Sequence, residues 1–188
     1  MGTLPAELQA LLDQIDACER DAESLLAGLD DDGVNWQPPP GRWSIAQCLH
    51  HLATMNDVYT QGCDEHLQAA RAKNVGPFKG LHPTLVGRWF ARSMEPPPRM
   101  KLKAPSPTTP GPSYPRDGLL AAYTMSHARY RAIVKASADV DVDRVVFPNR
   151  FIGAVKMRLS TVLMIIPAHD RRHLYQARQV RKTLQNEK

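Results

Sequence analysis

Apolar residues return every three to four positions in four stretches of the chain, the spacing that lines one face of an α-helix. The first stretch runs from about Pro5 to Leu29, with Leu8, Leu11, Leu12, Ile15, Leu25 and Leu26 on the apolar side. Pro5 suits an opening turn, where a backbone N–H has no helical partner anyway. The run Asp30 to Gly33 closes that helix as a polar loop. The second helix follows Ser44, an N-cap residue with Gln47 at the reciprocal position of a capping box, and reads through to about Ala70. The third starts near Asp117 and runs through LLAAYTMSHARYRAIVKAS, and the last spans about Leu159 to Leu184. No stretch alternates convincingly over strand length, so the pattern predicts an all-α chain of four long helices.

The connections are long. Eight of the 16 prolines fall between Pro96 and Pro115. Each removes a backbone donor and clashes with the preceding turn, so the segment at about 95–116 is a loop rather than a helix. It is read as packed across the helices, and the sequence leaves open whether it covers a site. Ahead of it, Leu85 to Met94 predicts a short helix, and DVDVDRVVFPNRFIGAVKMR before the last helix reads as irregular.

On a wheel at about 100° per residue, Val162, Ile166, Ala177 and Val180 mark the apolar stripe of the last helix, and His169 and His173 fall inside it. Burying an unpaired polar group costs about 1–3 kcal/mol, so histidines on the core side demand partners. A spacing of four stacks the two rings on one face, which suits two imidazoles meeting one cation at about 2.0–2.1 Å each. Gln176 shares the flank as a substrate contact or a support for a ligand. Pro167 is expected to kink the helix just before His169. A catalytic centre of this kind takes a third protein ligand and leaves one position open.

The candidates for the third are His50, His51, His66, His82 and His127. The stripe of the second helix is Ile45, Cys48, Leu49, Leu52, Asn56 and Tyr59. His50 points away from it and is read as solvated, whereas His51 sits on its shoulder beside Met55 and Val58. His66 returns to the stripe near a fraying end. His127, at the edge of the third helix's apolar face, reads as a satisfied core histidine, and His82 lies in a loop before Pro83. Cys48 reads as a small core hydrophobe rather than a fourth ligand. Periodicity alone makes metal binding and satisfied core histidines equal readings.

Two segments add a resemblance. NWQPPPGRWSIAQCLHHLA is similar to the start of the second helix in DinB-like (YfiT-like) proteins, where W-x-P and a later W-S lead into a helix ending His-Leu. IIPAHDRRHLYQARQVRK resembles that family's last helix, with its His-x-x-x-His-Leu-x-Gln. Both fall in order, and the helix layout agrees over nearly the whole chain. The resemblance implies a four-helix bundle, commonly dimeric, in which three histidines hold one divalent metal. Carried over by position these are His51, His169 and His173, with Trp36 and Trp43 as anchors at the start of the second helix. The long proline-rich insertion departs from the family pattern.

Imidazole ligands suit zinc, nickel, iron or copper; zinc or nickel is the first expectation and iron the next, and three neutral imidazoles leave the ion its full charge. Characterised relatives include thiol-dependent S-transferases and a maleylpyruvate isomerase. The resemblance therefore implies a metal that activates a low-molecular-weight thiol, whose carboxylates Arg150, Arg171 or Arg172 could hold. A metal-dependent hydrolase is the alternative. There Asp170 follows His169 as the acid of HExxH follows its first histidine. A supporting role for Asp170 is preferred over general base. The third reading is a non-catalytic metal- or ligand-binding bundle.

Composition trims the list. At 188 residues with 43% apolar side chains, the chain is expected to form one domain, 1–188, around one core. Cys18, Cys48 and Cys63 form no CxxC pair, which points to a reducing cytoplasm. No apolar run is long enough for a bilayer. The start lacks the basic-then-apolar design of a signal peptide, and Ala6 stands where a myristoylation signal wants Ser or Thr. The net charge of +5 raises the question of nucleic acid. Basic residues are scattered apart from Arg171, Arg172, Arg178, Arg181 and Lys182, and none form a tract interleaved with aromatics. The expected partners are a small-molecule substrate and a second copy of the chain.

Overall fold

A computed structural model describes residues 3–39, 41–98 and 103–187. The Met-Gly start and the 99–102 portion of the proline-rich segment lie outside the described residues. The chain is mostly helical. In order come α1 (Ala6–Leu26), α2 (Asp31–Asn35), α3 (Ile45–Thr60), α4 (Cys63–Ala72), α5 (Leu85–Ser93), α6 (Leu119–Ala136) and α7 (Leu159–Asn186). Just before α7, β1 (Val146–Pro148) and β2 (Lys156–Arg158) pair as a small antiparallel ribbon.

Three local expectations need correction. The polar run after α1 is not a loop throughout, because Asp30 accepts a hydrogen bond from the Gly33 N–H at 2.8 Å and starts α2. The second long helix does not reach Ala70 unbroken. It stops at Thr60, and Gly62, at a left-handed φ of 79°, turns the chain into α4. The irregular stretch before the last helix contains the β1–β2 ribbon, three residues a side and too short for alternation to reveal. At the head of α3 the expected cap is present: Ser44 Oγ accepts from Gln47 N–H, and the Ser44 N–H donates to Gln47 Oε1.

The four longest helices interlock in pairs, α1 and α3 each packing against both α6 and α7. Their core divides into two apolar clusters. One gathers Leu8, Ile15, Met55, Tyr59, Tyr130, Ile133, Leu163 and Ile166. The other gathers Ala22, Leu25, Ile45, Leu49, Leu52, Tyr123, Leu174 and Ala177. Along each of these helices the change from one cluster to the other is marked by polar side chains. Glu19, Asn56, Ser126, His127, His169, Asp170 and His173 occupy that level. All but Glu19 are buried.

Pro167 lies inside α7 and has no N–H to give the carbonyl of Leu163, four residues back. The buried hydroxyl of Tyr130 on α6 donates to that oxygen instead, at 2.7 Å. A helix flaw readable in the sequence is thus answered from a different helix.

Candidate metal centre

His51 near the middle of α3 and His169 and His173 on α7 converge. Their ring centroids lie 5.2 Å (His51–His169), 4.7 Å (His51–His173) and 4.6 Å (His169–His173) apart, each pair edge to face. One ring nitrogen from each comes within 4.8 Å of the others, and all three residues are buried. Among the described residues this is the one such cluster of His, Cys, Asp and Glu. Bonds of about 2.0–2.1 Å in a tetrahedral arrangement would set the nitrogens about 3.4 Å apart, so no pair has to draw in by more than roughly 1.4 Å.

Neighbours fix the rings. His51 Nδ1 lies 2.7 Å from the carbonyl oxygen of Thr108, which can only accept, so the proton sits on Nδ1 and the Nε2 lone pair is free. His173 Nδ1 meets Gln176 Oε1 at 3.1 Å with the same result. His169 Nδ1 is buried and has no hydrogen-bond partner. An orphaned ring nitrogen beside two correctly turned imidazoles fits a bound cation. Acceptors on the outer nitrogens of metal-ligating histidines are the usual support of such sites.

Electrostatics keep all three rings neutral, the form that ligates. Burial lowers the pKa of His169 well below its ordinary value, helped by His173, His51 and Arg172. Burial, His51 and Arg172 push His173 down to about 3, against the Gln176 hydrogen bond. His51 is lowered by burial, with the Thr108 carbonyl opposing and His50 assisting.

The described part of the proline-rich segment does reach these residues. Thr108 ends a short 3-10 turn, Ser106–Thr108, and aims its carbonyl at His51. Farther along, Gln47 of α3 donates to the Gly111 carbonyl at 2.7 Å, and Tyr114 stacks on His50 with centroids 3.9 Å apart. The segment is a strap laid across α3.

Trp43 was expected to be an anchor for the helix start. Its ring in fact lies against His51 at 4.8 Å and, nearly parallel, against His173 at 5.5 Å. No polar pattern marked it.

The other candidates are placed elsewhere. His50 is half-buried against Tyr114 rather than solvated. His66 stacks on Phe147, and His82 is exposed and paired with Asp143. Cys48 is fully buried in apolar surroundings that raise its thiol pKa. His127 is a satisfied core histidine, with both ring nitrogens on carboxylates. Nε2 meets Asp170 Oδ2 at 2.7 Å and Nδ1 meets Glu19 Oε1 at 2.9 Å.

Asp170 thus pairs with His127 rather than with a histidine of the cluster. Its second oxygen accepts from Asn56 Nδ2 at 3.3 Å. Of the arginines, Arg171 is committed to Glu95 and Gln14. Arg150 is tied to the Gln61 carbonyl, ten residues and about 15 Å along the chain from His51. Arg172 donates to the Ser93 carbonyl at 3.1 Å, and its charge bears on both His169 and His173. Two open surface hollows hold none of the three histidines. One of about 460 Å³ is lined by Asp57, Gln61, Glu65 and Arg129, and one of about 310 Å³ by Asp16, Glu19, Glu23 and Thr124.

Compared with known proteins, the chain matches one family model, described as the DinB superfamily, over residues 14–177. No curated protein and no solved structure matches it.

Proposed function

The chain belongs to the DinB superfamily, and on that premise we propose that His51, His169 and His173 bind one divalent metal in an enzyme that transfers or isomerises substrates with a low-molecular-weight thiol. What carries the reading is the convergence of three buried imidazoles, two of them turned by acceptors on Nδ1 to present Nε2. The imidazole donor set suits zinc, nickel, iron or copper, and we take zinc or nickel as the first expectation. Three ligands leave a position open, where such an ion supplies Lewis acidity to a thiol or to water.

The chain's own residues have separate tasks in this reading. The Thr108 carbonyl and Gln176 hold the rings. Trp43 covers the His51 and His173 edges and limits water. Arg172 supplies positive charge for an anionic group of the thiol cosubstrate. Asp170, engaged by His127 and Asn56, is a support rather than a base, which weakens the hydrolase alternative. The proposal takes the fold as the four-helix bundle of the family, in one domain, working as a homodimer in the cytoplasm. No helix among the described residues is long and apolar enough to cross a membrane.

Metal analysis of protein purified without chelator tests the centre. About one divalent ion per chain is expected, lost in His51→Ala, His169→Ala and His173→Ala, and full occupancy in all three variants would refute it. For the thiol step, the visible spectrum of the cobalt-substituted protein is expected to change with glutathione, bacillithiol or mycothiol. A spectrum indifferent to all three would remove thiol chemistry.

A further inference from the structure

Helix α6 contributes no histidine to the cluster, yet it is hydrogen-bonded to α7, which contributes two. Among the described residues two buried side-chain hydrogen bonds join α6 to α7. Tyr130 donates to the Leu163 carbonyl that Pro167 leaves unbonded. His127 bridges Asp170 and Glu19, and Glu19 is gripped by Arg131 through both carboxylate oxygens at 2.8 and 2.7 Å. Close backbone approaches between α6 and α7 are sparser than those each makes with α1 and α3, so these side chains reach across the core. Asn56 of α3, five residues after His51, joins the same level through Asp170.

Two fixed points on a helix set both its rotation and its rise. Leu163 and Asp170 are seven residues apart, about two turns, and the second lies next to His169. The tolerance is small: turning α7 by 20° moves an atom about 5–6 Å from its axis by roughly 2 Å. That displacement is as long as a metal–nitrogen bond. We propose that His127 and Tyr130 are positioning residues that fix the rotation and rise of α7, so that His169 and His173 face His51. The inference rests on the metal reading of the cluster. Neither ring makes a ring contact with the three histidines.

The test compares wild type, His127→Gln and Tyr130→Phe. Each chelator-treated protein is titrated with Co²⁺ while the visible bands are recorded, and its metal-free unfolding midpoint is measured. His127→Gln is expected to bind Co²⁺ about tenfold more weakly, at the low end of the roughly 10–100-fold range for outer partners of a metal site, with shifted bands. Tyr130→Phe should move both readouts in the same direction by less. It also decides the matter if His127→Gln does not fold. A variant that unfolds earlier yet binds Co²⁺ with wild-type affinity and bands overturns the inference, since its role would then be structural only. Failure of wild type to bind Co²⁺ at all would instead overturn the metal reading.

Discussion

Tyr130→Phe removes one oxygen atom and isolates one buried carbonyl. The Tyr130 ring is fully buried and stays packed in the variant, so the change is confined to the hydrogen bond. The Leu163 oxygen is then left with neither a helical partner, because Pro167 has no N–H, nor a side-chain donor. Leaving a buried acceptor unpaired costs about 1–3 kcal/mol. For a chain of this size each kcal/mol lowers Tm by about 2–4 °C, giving a fall of about 2–12 °C. Pro167→Ala restores the N–H four residues along and offers the same oxygen an ordinary helical bond. In that background Tyr130→Phe should cost less than half as much. The assay is a double-mutant cycle of urea and thermal unfolding by circular dichroism, on metal-free protein so that ligand linkage does not mask the difference. Costs for Tyr130→Phe equal in the two backgrounds to within about 0.5 kcal/mol would mean the sites are independent, and the account of the Leu163 carbonyl would be wrong.

Burial alone would lower the pKa of His127, but the hydrogen bond and charge of Asp170, then of Glu19, raise it on balance. A raised histidine stabilises fully below its unfolded value of about 6.5 and loses that contribution as pH climbs through the folded value. Metal-free wild type should therefore lose stability with rising pH more steeply than Glu19→Gln, by at most about 1.4 kcal/mol per pH unit. Parallel urea midpoints across the range would contradict this. Gln47→Ala removes the donor to Gly111 and loosens the strap. It should weaken metal binding and speed amide exchange over 108–114, and unchanged exchange there would show that Gln47 does not hold the strap. The three cysteines are buried and their thiol pKa values are raised, that of Cys63 to about 12. A thiol reagent should find none in the native protein and three after denaturation; rapid native labelling would contradict the packing.

Much of this was written in the helical periodicity. The positions of α1, α3, α6 and α7 followed from apolar spacing, and the capping box at Ser44 and Gln47 was readable from two residues. Wheel phase puts His169 and His173 on one face of α7 and His51 on the shoulder of the α3 stripe, and the family resemblance joins the three; Pro167 precedes both α7 histidines and leaves their spacing of four intact. The strap's contribution was hidden for a physical reason. It comes from the Thr108 backbone carbonyl, which every residue type carries, so no side chain advertised it. The wheel puts His127 at the edge of its helix's apolar face, yet its pairing with Asp170 joins α6 to α7, and single-helix wheels hold no information on which faces meet. The break at Gly62 was visible as a glycine but not as a left-handed one. The sequence did contain one unused signal: a proline in mid-helix implies an unbonded carbonyl four residues earlier, and a tyrosine is a natural donor for it.

On the proposed metal reading, Trp43 serves as a gauge of the centre's occupancy. Its indole sits within ring contact of two of the three histidines, while Trp89 is 60% exposed. Paramagnetic ions quench an excited indole at such short range, whereas closed-shell zinc does not. Filling the centre with cobalt or nickel should dim Trp43 selectively, and replacing them with zinc should restore its emission. The tightness of the proposed centre can thus be followed by fluorescence in the unlabelled chain, independently of any substrate.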